Sequence, residues 1–156
     1  MVRLLPDTLV LAVTERRQLA VWQHIGRSYV IDETGRVIPE ADPGRFARLP
    51  LIVGAGANEA AAAILPEVAA RPRLAERTEA LIRVDGRRWD LRMKDGSLIQ
   101  LPASGQEQAL MQLELLDQRS RILELGFDRI DLRSPDMVAV RPRQTPTLTA
   151  PPANGA

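Results

Sequence analysis

The sequence contains no cysteine, one histidine and 3% aromatic residues among its 156 positions. Without cysteine there is no disulfide framework, no cysteine-ligated zinc site and no thiol nucleophile. A lone His24 excludes a multi-histidine metal centre and weakens any triad that needs an imidazole base. So few aromatic rings argue against a stacking platform for bases or sugars. The composition therefore predicts a globular module with no metal and no cofactor, and not an enzyme.

The sequence also lacks an excess of charge of either sign and any long apolar run. The chain has 21 basic and 20 acidic residues, for a net charge of +1, and its arginines alternate with acids along the chain. Such a neutralised surface does not create the field that drives binding to nucleic acid. No run of 18 apolar residues occurs, so no segment of this sequence is expected to span a bilayer.

Short apolar segments predict strands. They fall at 8–13 and 19–23, at 28–31 and 36–38 around a Gly-containing hairpin turn, and at 49–53. The Ala-rich segment 58–70 predicts a helix, kinked or split at Pro66 and ended by Pro72.

The middle of the chain has the clearest pattern. Between 88 and 93 polar and apolar residues alternate, which places Trp89, Leu91 and Met93 on one buried face. Asp-Gly pairs stand on both sides, and Asp-Gly favours the type I′ turn of antiparallel hairpins. A three-stranded meander is therefore predicted over 78–101.

A last helix and two last strands complete the prediction. Ser104 and Glu107 match a capping box, which predicts a helix from there to Leu125 with Gly126 after its end. Strands are predicted at 127–132 and 137–141. The order of elements has no βαβ alternation, so it predicts an α+β fold: a mostly antiparallel β sheet with two helices packed on it.

The final strand is nearly all apolar over Met137, Val138, Ala139 and Val140. If it lies at a sheet edge, its unpaired backbone groups can receive a strand from a partner. The alternative, that the chain's own residues cover it, stays open at this point. A third possibility, a ligand-binding module, predicts an enclosed apolar pocket instead of an exposed edge.

A glycine-containing loop supplies the alternative function, a small nucleotide-binding domain. Gly54 and Gly56 follow an apolar strand and precede a helix, as in a dinucleotide-binding fingerprint. The third glycine position is occupied by Glu59, and the next strand is expected to belong to the antiparallel meander. A plain strand-to-helix connection is therefore the favoured interpretation.

Several short motifs resemble a known family, the bacterial cell-division protein FtsQ, called DivIB in Gram-positive bacteria, in its alphaproteobacterial form. Each is weakly specific, but their order and spacing over 6–141 make the match more specific. The motifs are Val13-x-Glu15-Arg16 with Ala20-x-Trp22, residues 32–37 (DETGRV), residues 49–54 (LPLIVG), residues 88–91 (RWDL), Gly96-x-x-Ile99-x-Leu101 and residues 130–133 (IDLR).

The resemblance implies a domain organisation. Members have a cytoplasmic tail, one membrane helix, a POTRA domain and a C-terminal β domain. Residues 1–26 are then expected to be the end of a POTRA domain, contributing a partial strand pair. Residues 27–142 would be the β domain and 143–156 a disordered Pro/Thr/Ala-rich tail. The cytoplasmic tail, the membrane helix and the first part of the POTRA domain are expected to be missing from this chain.

The resemblance also implies a role. The β domain of the family is a non-enzymatic scaffold on the periplasmic face of the inner membrane at the division septum. It binds FtsB and FtsL, and FtsB adds a strand to the edge formed by the last β strand. The implied partner-binding residues are Arg133, Ser134, Met137, Val138, Ala139 and Val140. Arg133 matches an arginine that pairs with a partner carboxylate, whereas Ser134 replaces a partner-contacting tyrosine of enterobacterial relatives.

Overall fold

Eight strands form one sheet in residues 17–143, the part of the chain that the computed structural model describes. The strands are β1 (Gln18–His24), β2 (Arg27–Asp32), β3 (Leu51–Val53), β4 (Thr78–Val84), β5 (Arg88–Met93), β6 (Leu98–Gln100), β7 (Phe127–Ser134) and β8 (Met137–Pro142). The helices are α1 (Ala57–Ala69), α2 (Pro72–Arg77) and α3 (Gln106–Ser120), with 3-10 turns at Pro43–Arg45 and Ile122–Glu124.

The sheet is mixed and mostly antiparallel, in the order β2-β1-β3-β4-β5-β6-β7-β8. The predicted α+β class is confirmed. The expectation that βαβ units are absent is wrong, because β3 pairs in parallel with β4 across α1 and α2, and β6 pairs in parallel with β7 across α3. Both β3 and β6 were predicted as strands, but local sequence patterns do not specify the direction in which two strands pair.

The meander of β4, β5 and β6 is confirmed. Its first turn is of the predicted kind, since Asp85 and Gly86 both have positive φ, 53° and 65°. The second turn differs. There only Gly96 has positive φ, and the Asp95 carboxylate accepts hydrogen bonds from the Ser97 amide and hydroxyl at 2.8 and 2.6 Å. Asp-Gly therefore marks both turns but fixes the type of only one.

The core lies between one face of the sheet and the three helices. A row of paired residues crosses five strands on this side: Ile52, Leu81, Leu91, Ile99 and Ile130. All five are buried in one cluster with side chains of α1, α2 and α3, and Trp89, Leu91 and Met93 share it as predicted. We call this side the helix face. It carries most of the apolar burial that stabilises the domain.

Two helix ends differ from the expectation. The capping box is wrong, because Gly105, in a left-handed conformation, caps α3 without any side-chain hydrogen bond. The helix also ends at Ser120, five residues before the predicted end at Leu125, because Arg121 adopts a left-handed conformation. In α1 the chain stays helical through Pro66, and Pro72 begins α2, where a missing N–H costs nothing.

An ion-pair cluster fixes α2 against the end of α3. Arg73 donates to the buried carboxylate of Asp117 at 2.6 Å and to Glu124 at 3.1 Å, while Arg77 reaches Glu124 at 2.8 Å. Burial alone raises the pKa of Asp117, but the hydrogen bonds from Arg73 and the Leu123 amide outweigh it and hold that pKa below its usual range. The charged form of Asp117 is therefore the one that stabilises this corner of the domain.

The first described strand belongs to the main sheet. The predicted strand 19–23 is β1, which pairs antiparallel with β2 and parallel with β3. Its expected partner at 8–13 lies outside the described residues, as does the chain beyond 143. The predicted division between 26 and 27 falls in the turn that joins two paired strands, β1 and β2, and it stays a prediction. Within 17–143, no helix is long and apolar enough to span a membrane.

Candidate partner-binding edge

The two edges of the sheet are not equivalent. At the β2 edge the chain folds back on itself: the Ile38 amide donates to the Val30 carbonyl at 2.8 Å, and the Asp32 amide to the Arg36 carbonyl at 2.9 Å. A bridge between Ile31 and Val37 completes this cover. The β2 edge is therefore partly closed by its own connection.

The β8 edge has no such cover within residues 17–143. β8 pairs with β7 alone and is the last strand of the sheet order. Its side chains are exposed apart from Val138, which packs against the core. Met137 is 64% exposed and Val140 is 42% exposed. A strand that pairs on one side only and exposes apolar side chains offers the surface that a partner strand requires.

The register between β7 and β8 assigns each residue of β8 to a side. Val140 is paired with Ile130 on the helix face, and Ala139 with Asp131 on the opposite side. The register shifts between those pairs and the Ser134–Met137 pair, so that Leu132 and Arg133 lie opposite Val138 alone. This is a β-bulge in β7, a common device near a sheet edge. By alternation, Val138 and Val140 face the helices, whereas Met137, Ala139 and Arg141 face away.

The side of the sheet opposite the helices is more polar. Its central row runs Ile82, Asp90, Gln100, Asp131 and Ala139 from β4 to β8. We call this side the polar face. Asp90 and Gln100 are directly paired and only 7% and 6% exposed, and the Gln100 Oε1 atom has no hydrogen-bond partner among residues 17–143. Neighbouring arginine side chains line the same side, including Arg88, whose Nε lies 3.4 Å from Asp90 Oδ1.

Replacing Asp90 with asparagine is expected to raise the melting temperature at pH 7 and to leave it unchanged near pH ~3. Burial raises the pKa of Asp90, and the attraction of Arg88 offsets this only in part. The stability contributed by the protonated carboxyl is therefore fully present below the ordinary Asp pKa of about 3.9 and is lost as the pH rises through the raised value. Asparagine stays neutral at both pH values.

Thermal melts at the two pH values test this prediction. Glu79→Gln is the control, because Glu79 forms an exposed ion pair with Arg92 at 3.1 Å and such pairs contribute little. A lower melting temperature for Asp90→Asn than for the wild type at pH 7 would contradict the assignment.

The predicted contact residue Arg133 is already engaged within the chain. Its Nε donates to Asp131 Oδ1 at 2.9 Å and its Nη2 to Asp131 Oδ2 at 2.8 Å. This bidentate pair lowers the pKa of Asp131 and raises that of Arg133. Arg133 stays half exposed, and Ser134 lies beside it at the turn into β8. The structure thus brings Arg133, Ser134 and the four predicted β8 residues together at one corner.

The partner-binding residues expected from the sequence did not include Arg129, Asp131 and Arg141. The signal was present in residues 129–133, where polar and apolar residues alternate and place Arg129, Asp131 and Arg133 on one side of a strand. Arg141 is paired across the strands with Arg129 and forms an ion pair with Asp128 at 2.9 Å. These residues give the polar face its charge next to the edge.

The glycine loop differs from the expectation in one respect. The strand after α1 and α2 is β4, which is parallel to β3, so Gly54 and Gly56 do lie between the first strand and the helix of a βαβ unit. Gly54 is nevertheless held by the sheet: its carbonyl accepts a hydrogen bond from Trp22 Nε1 at 2.8 Å, and it lies against the backbone of Arg83. Gly56 caps α1, and Glu59 stands in the first helical turn. In residues 17–143 no cluster of acids and histidine could hold a metal ion.

Comparison with known proteins decides the family. The model of the family "Cell division protein FtsQ/DivIB, C-terminal" matches residues 20–133. The chain belongs to the FtsQ/DivIB family. The resemblance predicted from the short motifs is confirmed, and the match spans β1 to β7.

Individual sequences that are similar to this chain belong to the same family. "Cell division protein FtsQ" of Caulobacter vibrioides (strain NA1000 / CB15N) is 64% identical over 155 residues, 99% of this chain and 51% of the relative. That of Bradyrhizobium diazoefficiens is 38% identical over 139 residues, 89% of this chain and 41% of the relative. The chain thus spans about half the length of the curated relatives it matches.

A solved structure is also similar to the FtsQ/DivIB chain. It is the major extracytoplasmic domain of the cell division protein DivIB from Geobacillus stearothermophilus, with a TM-score of 0.41 at 18% identity. The likeness covers 69% of this chain and 96% of that one.

Proposed function

We propose that this chain is a non-catalytic divisome scaffold that binds FtsB, within a subcomplex with FtsL, by adding a strand of FtsB to β8. The observation that carries the proposal is the free, apolar β8 edge at one end of the sheet. The proposed cellular location of the protein is the periplasmic face of the inner membrane at the septum, as the family resemblance implies. The division of the chain into residues 1–26, as part of a POTRA domain, and residues 27–142, as the β domain, remains part of this proposal.

Strand addition suits the chemistry of the edge. Backbone hydrogen bonds to β8 supply affinity with little demand on sequence, and side chains at alternate positions supply specificity. A cleft of about 560 Å³ opens beside the start of β8, lined by Pro102, Gln108, Leu132, Arg133 and Pro135 among others. It offers a place for partner residues that lie beyond the added strand.

The test of the proposal is co-purification of the full chain with the periplasmic segments of FtsB and FtsL from the same organism. Stable capture of FtsB that does not need FtsL supports the scaffold with FtsB as the direct partner. If neither segment is retained, the proposal is wrong. Saturable binding of NAD or ATP that is lost in Gly56→Asp would favour the nucleotide-binding alternative instead.

Arg133→Ala is expected to weaken binding of the FtsB segment by about tenfold to a hundredfold. A guanidinium has five N–H groups, so Arg133 can bind a partner carboxylate while it keeps its two bonds to Asp131. A charge-assisted hydrogen bond of this kind contributes about 1.5–3 kcal/mol. Isothermal titration calorimetry measures the change.

Asp131→Asn is the matched variant for this prediction. It removes the competing carboxylate and keeps the shape of the side chain, so binding should be retained or strengthened. Unchanged affinity in Arg133→Ala, with the fold intact by circular dichroism, would remove Arg133 from the contact and leave strand addition to the backbone.

A further inference from the structure

We infer that the strand bound at β8 has a two-sided sequence: an apolar residue opposite Val140 on the helix face and, adjacent to it in the sequence, a carboxylate opposite Arg141 on the polar face. This inference rests on the proposed strand addition and specifies the chemistry of the partner. It follows from the cross-strand rows that end at the edge.

The apolar half of the pattern comes from the helix face. The buried row Ile52, Leu81, Leu91, Ile99 and Ile130 continues into Val140, which remains 42% exposed at its end. A β-branched or aromatic residue placed opposite Val140 would extend this row by one strand. Cross-strand neighbours of that kind stabilise a sheet relative to alanine.

The carboxylate half comes from the polar face. A second row there runs Arg92, Leu98, Arg129 and Arg141 and ends at the same edge. Arg129 and Arg141 are direct cross-strand partners, and like charges in that position repel. The row thus places two arginines at paired positions of β7 and β8, next to the edge that a partner strand would join.

The acids of this region do not offset that charge fully. Arg141 is paired with Asp128 at 2.9 Å, and Arg133 with Asp131 at 2.8 Å. Arg129 forms no ion pair of its own, because within residues 17–143 no carboxylate lies within 4.0 Å of its guanidinium, and Asp90 and Asp131 attract it only from a greater distance. The edge of the polar face therefore carries a surplus of positive charge.

A glutamate or aspartate opposite Arg141 would neutralise part of this positive charge. Directly opposed residues of neighbouring strands have Cβ atoms about 5 Å apart, so such a carboxylate reaches Arg141 and lessens its repulsion with Arg129. A lysine there would be a third cation in the same row. Complementary charge at the rim of an interface acts mainly on the choice of partner and of register.

The experiment uses the full 156-residue chain and three labelled ten-residue peptides of alternating valine and threonine, whose central polar position is Glu, Gln or Lys. Fluorescence polarisation at low salt is expected to rank them Glu, Gln, Lys, with the Glu peptide about five- to tenfold tighter than the Lys peptide. In Arg141→Glu the order should reverse. Arg27→Glu, on the β2 edge, is the matched control and should keep the wild-type order.

Each outcome bears on one claim. Equal binding of the three peptides, or an unchanged order in an Arg141→Glu variant that melts like the wild type, overturns the carboxylate inference and leaves strand addition standing. No binding of any peptide, together with no capture of FtsB, overturns the proposed function and this inference with it. FtsB capture without peptide binding overturns the inference alone. Raising the salt concentration should reduce the difference between peptides if charge is its cause.

Discussion

Proline at position 139 or 140 is expected to abolish FtsB capture in at least one of the two variants while its fold is kept. Along an antiparallel edge strand the amides point alternately toward the neighbouring strand and outward. One of Ala139→Pro and Val140→Pro therefore removes an amide that faces away from β7, and the other removes a ladder bond to β7. The first should melt like the wild type, and the second should be destabilised.

The expected loss of affinity is large because proline acts twice. It removes a backbone donor, with a net contribution of about 1 kcal/mol, and its ring also displaces the incoming strand. The lost donor alone lowers the affinity about fivefold, since 1.4 kcal/mol corresponds to a factor of ten, and displacement of the strand by the ring brings the total loss to at least about tenfold. Calorimetry with the FtsB segment and a thermal melt of each variant measure the two effects separately.

The controls for this prediction keep the backbone donor. Ala139→Val and Val140→Thr change side chains on opposite faces of β8 and leave every amide in place, so both should retain most of the affinity. If a folded proline variant at each position binds FtsB as the wild type does, β8 does not accept a strand. The partner would then have to contact another surface of the domain.

The position of β8 at an edge could not be read from the sequence, although its apolar character could. Chain order places strand 127–134 after α3, but only the crossover of α3 puts β7 in parallel beside β6 and leaves β8 outside. Local patterns specify strands, and pairing direction depends on contacts between distant segments. For the same reason the parallel pairing of β3 with β4 was missed while the meander, joined by short turns, was predicted well.

The pairing of side chains at the site also depends on contacts that the local sequence pattern does not specify. Arg133 was predicted as a contact from the family resemblance, and its bond to Asp131 was missed because the sequence alone does not say which acid a strand arginine meets. The Ser104–Glu107 pattern failed for a backbone reason: Gly105 took the cap position in a left-handed conformation. A motif of side chains predicts a cap only if the backbone places the right residue at the helix start.

Gly54→Ala is expected to destabilise the domain by about 2–4 kcal/mol, and Gly56→Ala by only about 1 kcal/mol. Both glycines have positive φ, 110° and 74°. A Cβ atom on Gly54 would lie 2.9 Å from the Arg83 carbonyl oxygen, whereas one on Gly56 would meet no atom of residues 17–143 within 4 Å. An alanine would therefore strain the backbone at both positions, but only the alanine at position 54 would also collide with β4.

Urea denaturation of the two variants measures this difference, which is a sizeable share of the 5–15 kcal/mol typical of a domain. The comparison also separates the two functions considered for this loop. If the glycines serve the sheet, Gly56→Ala should bind FtsB as the wild type does, because it lies in α1's cap, away from β8. If they served a phosphate, Gly56 would matter for ligand binding as much as Gly54. Equal losses of stability at the two positions would contradict the role assigned to Arg83, since no atom of the described part of the chain would meet a Cβ on Gly56.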